Sequence, residues 1–313
     1  MTLKIYKLLL VNYRIEFPKL NHIVFLLEKT NALQAKKVRA YLETCDIEFF
    51  KRAEKFYNKC ENLLRSIGKD WLFNVNCYNK MNADMVFERI QFLEKGSYSN
   101  KSFADVQKRI YEEPRVMEYH MHGLILAQFL WWDQYQRFSF FADNLKKYPA
   151  KNYLEIGAGH GLYISEAVDV YGSHTKFTAI DISSTSIEMT KAILDNKSIQ
   201  CICDDVFNLN EINKFDFITL GEVIEHLEDP YKLMKKLHEI LTDDGVFYIT
   251  TPANAPMIDH IYLFNNADEI RSLINLSGFK IIDERSVFAE NMKPEKAIKY
   301  KVPLMYAAFL KKQ

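Results

Sequence analysis

Three glycines at alternate positions, Gly157, Gly159 and Gly161, cut off an apolar run (Tyr153, Leu154, Ile156), and an amphipathic segment (Leu162, Ile164, Ala167, Val168, Val170) follows at once. That order dictates a strand, a tight turn and a helix. Glycine is needed where the backbone takes positive φ or presses against a ligand, and three of the chain's ten glycines fall within these five residues. A dinucleotide fingerprint wants Gly-x-Gly-x-x-Gly, but here the third glycine arrives one residue early and Leu162 holds the sixth place. Glu155, two residues ahead of the first glycine, would repel a pyrophosphate and attract an ammonium group. The turn therefore points to a cationic or zwitterionic ligand without phosphate.

From Lys151 onward, short apolar runs alternate with helical patterns, which predicts a doubly wound α/β sheet. The expected strands are Asn152–Ile156, Lys176–Ile180, Gln200–Cys203, Phe215–Leu220, Val246–Thr250, Lys280–Ser286 and Leu304–Leu310. Only Gly68, Gly96 and Gly123 precede residue 150, in a stretch dense in Phe, Tyr, Leu and Lys that reads as helical. Its clearest helix runs from Asp46 to Ile67, with Thr44 as N-cap and Gly68 as C-cap. A further helix is expected within Leu20 to Glu43, a break over Asn74 to Met81, and a largely buried segment from Pro114 to Lys147. The change of texture near Pro149 divides the chain of 313 residues into an all-helical N-terminal cap, 1–148, and an α/β domain, 149–313.

On these residues the chain resembles the class I S-adenosylmethionine-dependent methyltransferases, whose first motif, acid-x-Gly-x-Gly-x-Gly, is met by Glu155, Gly157, Gly159 and Gly161. The resemblance implies a Rossmann-like, seven-stranded doubly wound sheet ending in an antiparallel hairpin. It also implies a set of contacts to S-adenosyl-L-methionine. Ala158 lies within the turn, and Asp181, twenty residues beyond Gly161, takes the ribose hydroxyls with Ile182 beside it. Asp205, or less favourably Asp204, takes the adenine amine, and Val206 lies along the ring. Gly221 and Glu222 border the methionine part and the sulfonium. A second match follows the fourth strand, where Glu225, His226, Leu227, Asp229 and Pro230 fill the Glu-His-Leu, acid and proline places.

The implied activity is methyl transfer to a small-molecule acceptor by in-line displacement, which requires alignment, exclusion of water and, for a protonated oxygen or nitrogen, a base. Glu222 and His226 are the nearest candidates, although for His226 the favoured reading is a turn histidine that holds its loop by hydrogen bonds. In the segment before the glycine turn, which also holds His120, Gln128, Trp131, Trp132 and Arg137, we expect Tyr119, His122 and Tyr135 to face Glu222 and act with it. Two other readings use the same pocket. One is a divalent-metal-dependent RNA 2′-O-methyltransferase, whose relatives hold an ion with two glutamates and two histidines, as Glu222, Glu225, His226 and His260 could. The other cyclises the cofactor's aminobutyrate chain and releases methylthioadenosine. We expect no resident metal.

Forty-one basic residues balance forty-one acidic ones, so nucleic acid and anionic membrane are not favoured partners. The longest apolar run, Gly123 to Trp132, is short of the ~20 residues of a membrane span. Five cysteines without metal-type spacing suit a reducing cytoplasm. The apolar patch Leu8 to Val11 is closely flanked by charges and is not expected to be a secretory signal. Sequence leaves the oligomeric state open.

Overall fold

The structure, a computed structural model, describes residues 16–195 and 198–313; the Leu8 to Val11 patch lies outside them. The described residues open with helices α1 (Pro18–Thr30), α2 (Ala32–Leu42), α3 (Ile47–Ser66), α4 (Trp71–Lys95), the short α5 (Phe103–Val106), α6 (Pro114–Leu130) and α7 (Trp132–Asn144). It continues as β1 (Asn152–Ile156), α8 (Leu162–Tyr171), β2 (Lys176–Asp181), α9 (Ser184–Leu194), β3 (Gln200–Cys203) and β4 (Phe215–Gly221). It ends with α10 (Pro230–Ile240), β5 (Leu241–Ala253), α11 (Ala267–Leu276), β6 (Phe279–Phe288), α12 (Pro294–Lys299) and β7 (Leu304–Lys312).

Among the described residues, seven strands lie in the order β3-β2-β1-β4-β5-β7-β6. The first five are parallel, while β7 runs antiparallel between β5 and β6. This is the Rossmann-like methyltransferase architecture. The order reverses between β1 and β4, and an open α/β sheet leaves its ligand crevice at the carboxyl ends of the strands there. β1 is buried along Tyr153, Leu154, Glu155 and Ile156, three of them apolar, because it is covered on both faces. On one face Tyr153, Phe177, Phe217, Tyr248 and Phe309 belong to the same buried cluster as the N-terminal helices. On the other, Leu154, Ile218 and Phe247 pack with α10 and α11 through Leu233, Leu237 and Ile270.

Local differences from the sequence reading have identifiable causes. The stretch Leu20 to Glu43 forms two helices parted at Asn31, whose side chain caps α2 by accepting from the Gln34 N–H at 3.1 Å. α3 is capped by Asp46 and not by Thr44, and Gly68 follows its last turn at φ 67°. Asn74 to Met81, expected to break, lies inside the 25-residue α4. There Asn74 is buried with its Oδ1 on His122 Nδ1 at 2.8 Å, and the Asn82 amide returns to the Tyr78 carbonyl. Tertiary partners thus absorb the asparagines that a lone helix would place in turns. The Pro114 to Lys147 segment bends at Trp131, which takes an extended conformation and donates from its indole to Tyr78 Oη at 2.9 Å.

Candidate functional site

A cavity of about 1360 Å³ opens over the strand tips and runs on beneath the N-terminal helices. Glu155, Gly157, Ala158, Gly159, Asp181, Ile182, Asp205, Val206, Gly221, Glu222 and His226 all line it. Gly161 does not. It faces Thr190 of α9, which would meet an added Cβ at 3.2 Å, so its place is in the packing of the turn.

The glycine turn is held from beneath. All three glycines have positive φ, and a Cβ on Gly157 would strike Val223, while one on Gly159 would come within 3.0 Å of Met121 Cε. Asp181 Oδ2 accepts from the Gly159 N–H at 3.1 Å and Oδ1 from the Ser183 N–H at 2.8 Å. A carboxylate has about four lone-pair sites, so capacity remains for a ligand's hydroxyls. Burial raises the pKa of Asp181 and, more strongly, that of Glu155, whose Oε2 is buried without a partner. Asp205 caps the turn after β3 through the Phe207 N–H at 2.9 Å, and Asp204 binds the Asp205 N–H and the Asn208 amide, both at 2.7 Å. Both acids line the cavity.

Glu222 stands at the tip of β4 in the left-handed region, φ 57°. Its Oε1 accepts from Thr250 Oγ1 at 2.8 Å and forms an ion pair with Arg137 Nη1 of α7, a fully buried guanidinium. Past it lies a cluster of three histidines around Asp259. His226 Nδ1 is 3.1 Å from the Asp259 carbonyl and 3.6 Å from its Oδ2; His120 Nε2 of α6 is 3.8 Å from the same oxygen. His260 Nδ1 is 2.6 Å from the Ala255 carbonyl. Burial is the largest influence on each ring. It pushes His260 down to about 3 and lowers His120, but at His226 the charges of Asp259 and Glu225 outweigh it and the pKa is raised. Asp259 is held low against its own burial, chiefly by His226. Glu225 accepts from Thr251 Oγ1 at 2.9 Å through Oε2, while its Oε1 has no partner; burial, and then Glu222, push it up to about 8. One ligand atom each from Glu225, His226 and His260 lie within 4.8 Å of one another.

Tyr119, His122 and Tyr135 lie off the cavity, contrary to expectation. Helix phase explains the first two. The face of α6 that lines it carries Met117, His120, Met121, Leu124 and Gln128, at steps of three and four. Tyr119 turns outward under the Lys80 ammonium, 4.0 Å from its ring centre, and His122 points to Asn74 and Phe73 of α4. Tyr135 packs its ring on Phe49 and Phe129 in the helical core. His120 and Arg137, noted in the sequence only as polar members of an apolar segment, are the side chains that reach the site. Tyr98, whose hydroxyl accepts from the Ala255 N–H at 2.9 Å, and Tyr111, edge-on to His226, carried no sequence signal.

Residues 132–284 match the family described as methyltransferase domain. The chain is similar to the ubiquinone biosynthesis O-methyltransferase of Coxiella burnetii, 28% identical over 127 residues that cover 40% of this chain and 53% of that protein. It is also similar to malonyl-[acyl-carrier protein] O-methyltransferase 1 of Ilyobacter polytropus, 24% identical over 206 residues, 61% of this chain and 66% of that one. The chain thus spans about half the length of the first of these curated relatives. Among solved structures, mitomycin 7-O-methyltransferase superposes with a TM-score of 0.52 at 11% identity over 78% of this chain and 71% of its own, a likeness of fold.

Proposed function

We propose, from the premise that the chain carries a class I S-adenosylmethionine-dependent methyltransferase domain, that the protein methylates an oxygen or nitrogen of a small molecule held between that domain and the N-terminal helices. In this reading residues 1–148 are the substrate cap and 149–313 the cofactor-binding catalytic part. One observation carries it. A single cavity has the glycine turn and the strand-end acids at one side, helix-borne aromatic and apolar side chains at the other, and Glu222 and His226 between them.

The residues fit S-adenosylmethionine by their chemistry. The unpartnered Glu155 Oε2 suits an ammonium group, and Gly157 and Gly159, where Val223 and Met121 leave no room for a Cβ, present bare backbone in the cavity lining. Asp181 suits paired hydroxyls, and Asp205 suits an amine next to the apolar Val206. When bound, the cofactor supplies an electrophilic methyl group. Glu222, fixed by Arg137 and Thr250, places negative charge where the sulfonium and acceptor would meet. His226, tied through Nδ1 to the Asp259 carbonyl, keeps Nε2 free to take the acceptor's proton. The overlying helices exclude water. Product analysis after incubation with S-adenosylmethionine and candidate acceptors tests the reading. S-adenosylhomocysteine with a methylated acceptor is expected, whereas methylthioadenosine would mean cyclisation of the aminobutyrate chain.

A second reading adds a divalent cation at Glu225, His226 and His260. What favours it is the donor set: both Nδ1 atoms are tied to backbone carbonyls, which aims both Nε2 atoms away from them, and Glu225 Oε1 is buried and unpartnered. Such an ion would lower the acceptor's pKa. Calorimetric titration with Mn²⁺ or Zn²⁺, and loss of the signal in Glu225→Gln, would support it; no heat with either ion would dismiss it.

A further inference from the structure

The cavity is larger than the cofactor reading needs. Ligand sites usually enclose about 300–1,000 Å³, and this one reaches about 1360 Å³. The surplus lies away from the strand tips, between α2, α4 and the α6–α7 bend, where Val38, Tyr41, Val86, Leu124, Trp131 and Trp132 line the wall. Along α6 the lining stripe runs from Met117 to Leu130, roughly 20 Å at the helical rise, and Trp131 continues it at the bend.

Helix α4 shows where this arm leads. Asn79, Asn82, Ala83 and Val86 line the cavity. Steps of four and three along the same face give Ile90 and Leu93, which are 51% and 55% exposed, as Val86 is at 56%. Ala83 and Val86, flanked in the lining by Asn79, Asn82 and Arg89, therefore lead from the cavity to Ile90 and Leu93 on the surface beyond its mouth. An exposed apolar run continuous with a cavity marks a ligand groove better than scattered surface hydrophobes do.

We infer that the acceptor is an amphiphile, with its reacting polar end beside Glu222 and His226 and an apolar chain that follows the arm and leaves along Val86, Ile90 and Leu93. This rests on the methyltransferase reading for which end reacts. The arm also has polar contacts for the inner part of such a molecule, since Gln128 Oε1 and Tyr41 Oη are buried without partners in its wall. A small, fully polar acceptor would leave the arm filled with water against indole and aliphatic surface.

The test is equilibrium binding of a homologous series of para-alkylphenols, followed by quenching of Trp131 and Trp132, with S-adenosylhomocysteine binding measured on the same samples. Affinity should rise by about threefold to fourfold per methylene while the chain remains on apolar wall. Ile90→Glu, an exposed change that leaves the core intact, should remove the gain for the longest members only. Leu124→Trp, which fills the arm, should remove it from shorter ones. Affinity independent of chain length, with S-adenosylhomocysteine still bound, would overturn the amphiphile and leave the methyltransferase reading standing. A chain-length gain untouched by both substitutions would place the chains outside the cavity and overturn it equally. Failure to bind S-adenosylhomocysteine would bring down the underlying reading and the acceptor assignment with it.

Discussion

Glu222 holds a backbone conformation that a side-chain-bearing residue adopts only when its surroundings enforce it, at a cost of roughly 1–3 kcal/mol. Arg137 and Thr250 supply that enforcement; Glu222→Gln strands the buried Arg137 charge, so it should lower the melting temperature and also lower kcat at least tenfold. Equal kcat in the variant would remove Glu222 from the chemistry. Asp181 has two tasks, holding the Gly159 N–H and facing the cavity; Asp181→Ala should weaken cofactor binding by about 1.5–3 kcal/mol. The pH response of the site follows from His226, whose raised pKa puts the half-rise of kcat/KM above pH 6.5 if it acts as the base. Asp259→Asn removes the leading charge that raises it and should move the half-rise down. His122 bears on stability instead. Burial lowers it to about 4, so the unfolded chain binds the extra proton first, and stability falls as pH drops from about 6.5 to 4 and levels off below. His122→Gln, which keeps a partner for Asn74, should flatten that slope by about 3 kcal/mol in urea titrations across this window.

Among the elements, the strands were legible because a parallel strand buried on both faces must be a short apolar run, and the turn because only glycine fits where Val223 and Met121 press in. The phase of α6 was not legible. A helix buried on most sides has no polar face to orient it, so His120 could not be told from His122 until α4 took one side and the cavity the other. Gly123 marks the α6–α4 crossing. A Cβ there would lie 3.0 Å from Met81 Sδ and 3.2 Å from the Cys77 carbonyl, and backbone cannot move aside. Alanine's helix preference of about 1 kcal/mol would offset part of that crowding, whereas valine gains less and crowds more. Gly123→Val should therefore cost about 2–3 kcal/mol by denaturant titration, and a change below half of that would mean the helices can separate freely.

For the whole molecule, the composition shift near residue 149 was visible in the sequence, but the extent of the shared core was not. Tyr153, Phe217, Tyr248 and Phe309 point from the sheet into the cluster built by Phe56, Phe138 and Phe141, and apolar pattern alone cannot say which neighbour covers a strand face. The two parts should unfold in one transition, with calorimetric and van't Hoff enthalpies equal. Two separated transitions would make the helices an independent domain. The central claim is that the glycine turn and the strand-end acids form an S-adenosylmethionine site. Isothermal titration of the full chain with S-adenosylhomocysteine tests it most directly, with NAD as the control. The account predicts one equivalent bound with a Kd in the range of about 1–100 μM and no heat from NAD; binding of NAD without a response to S-adenosylhomocysteine would contradict it.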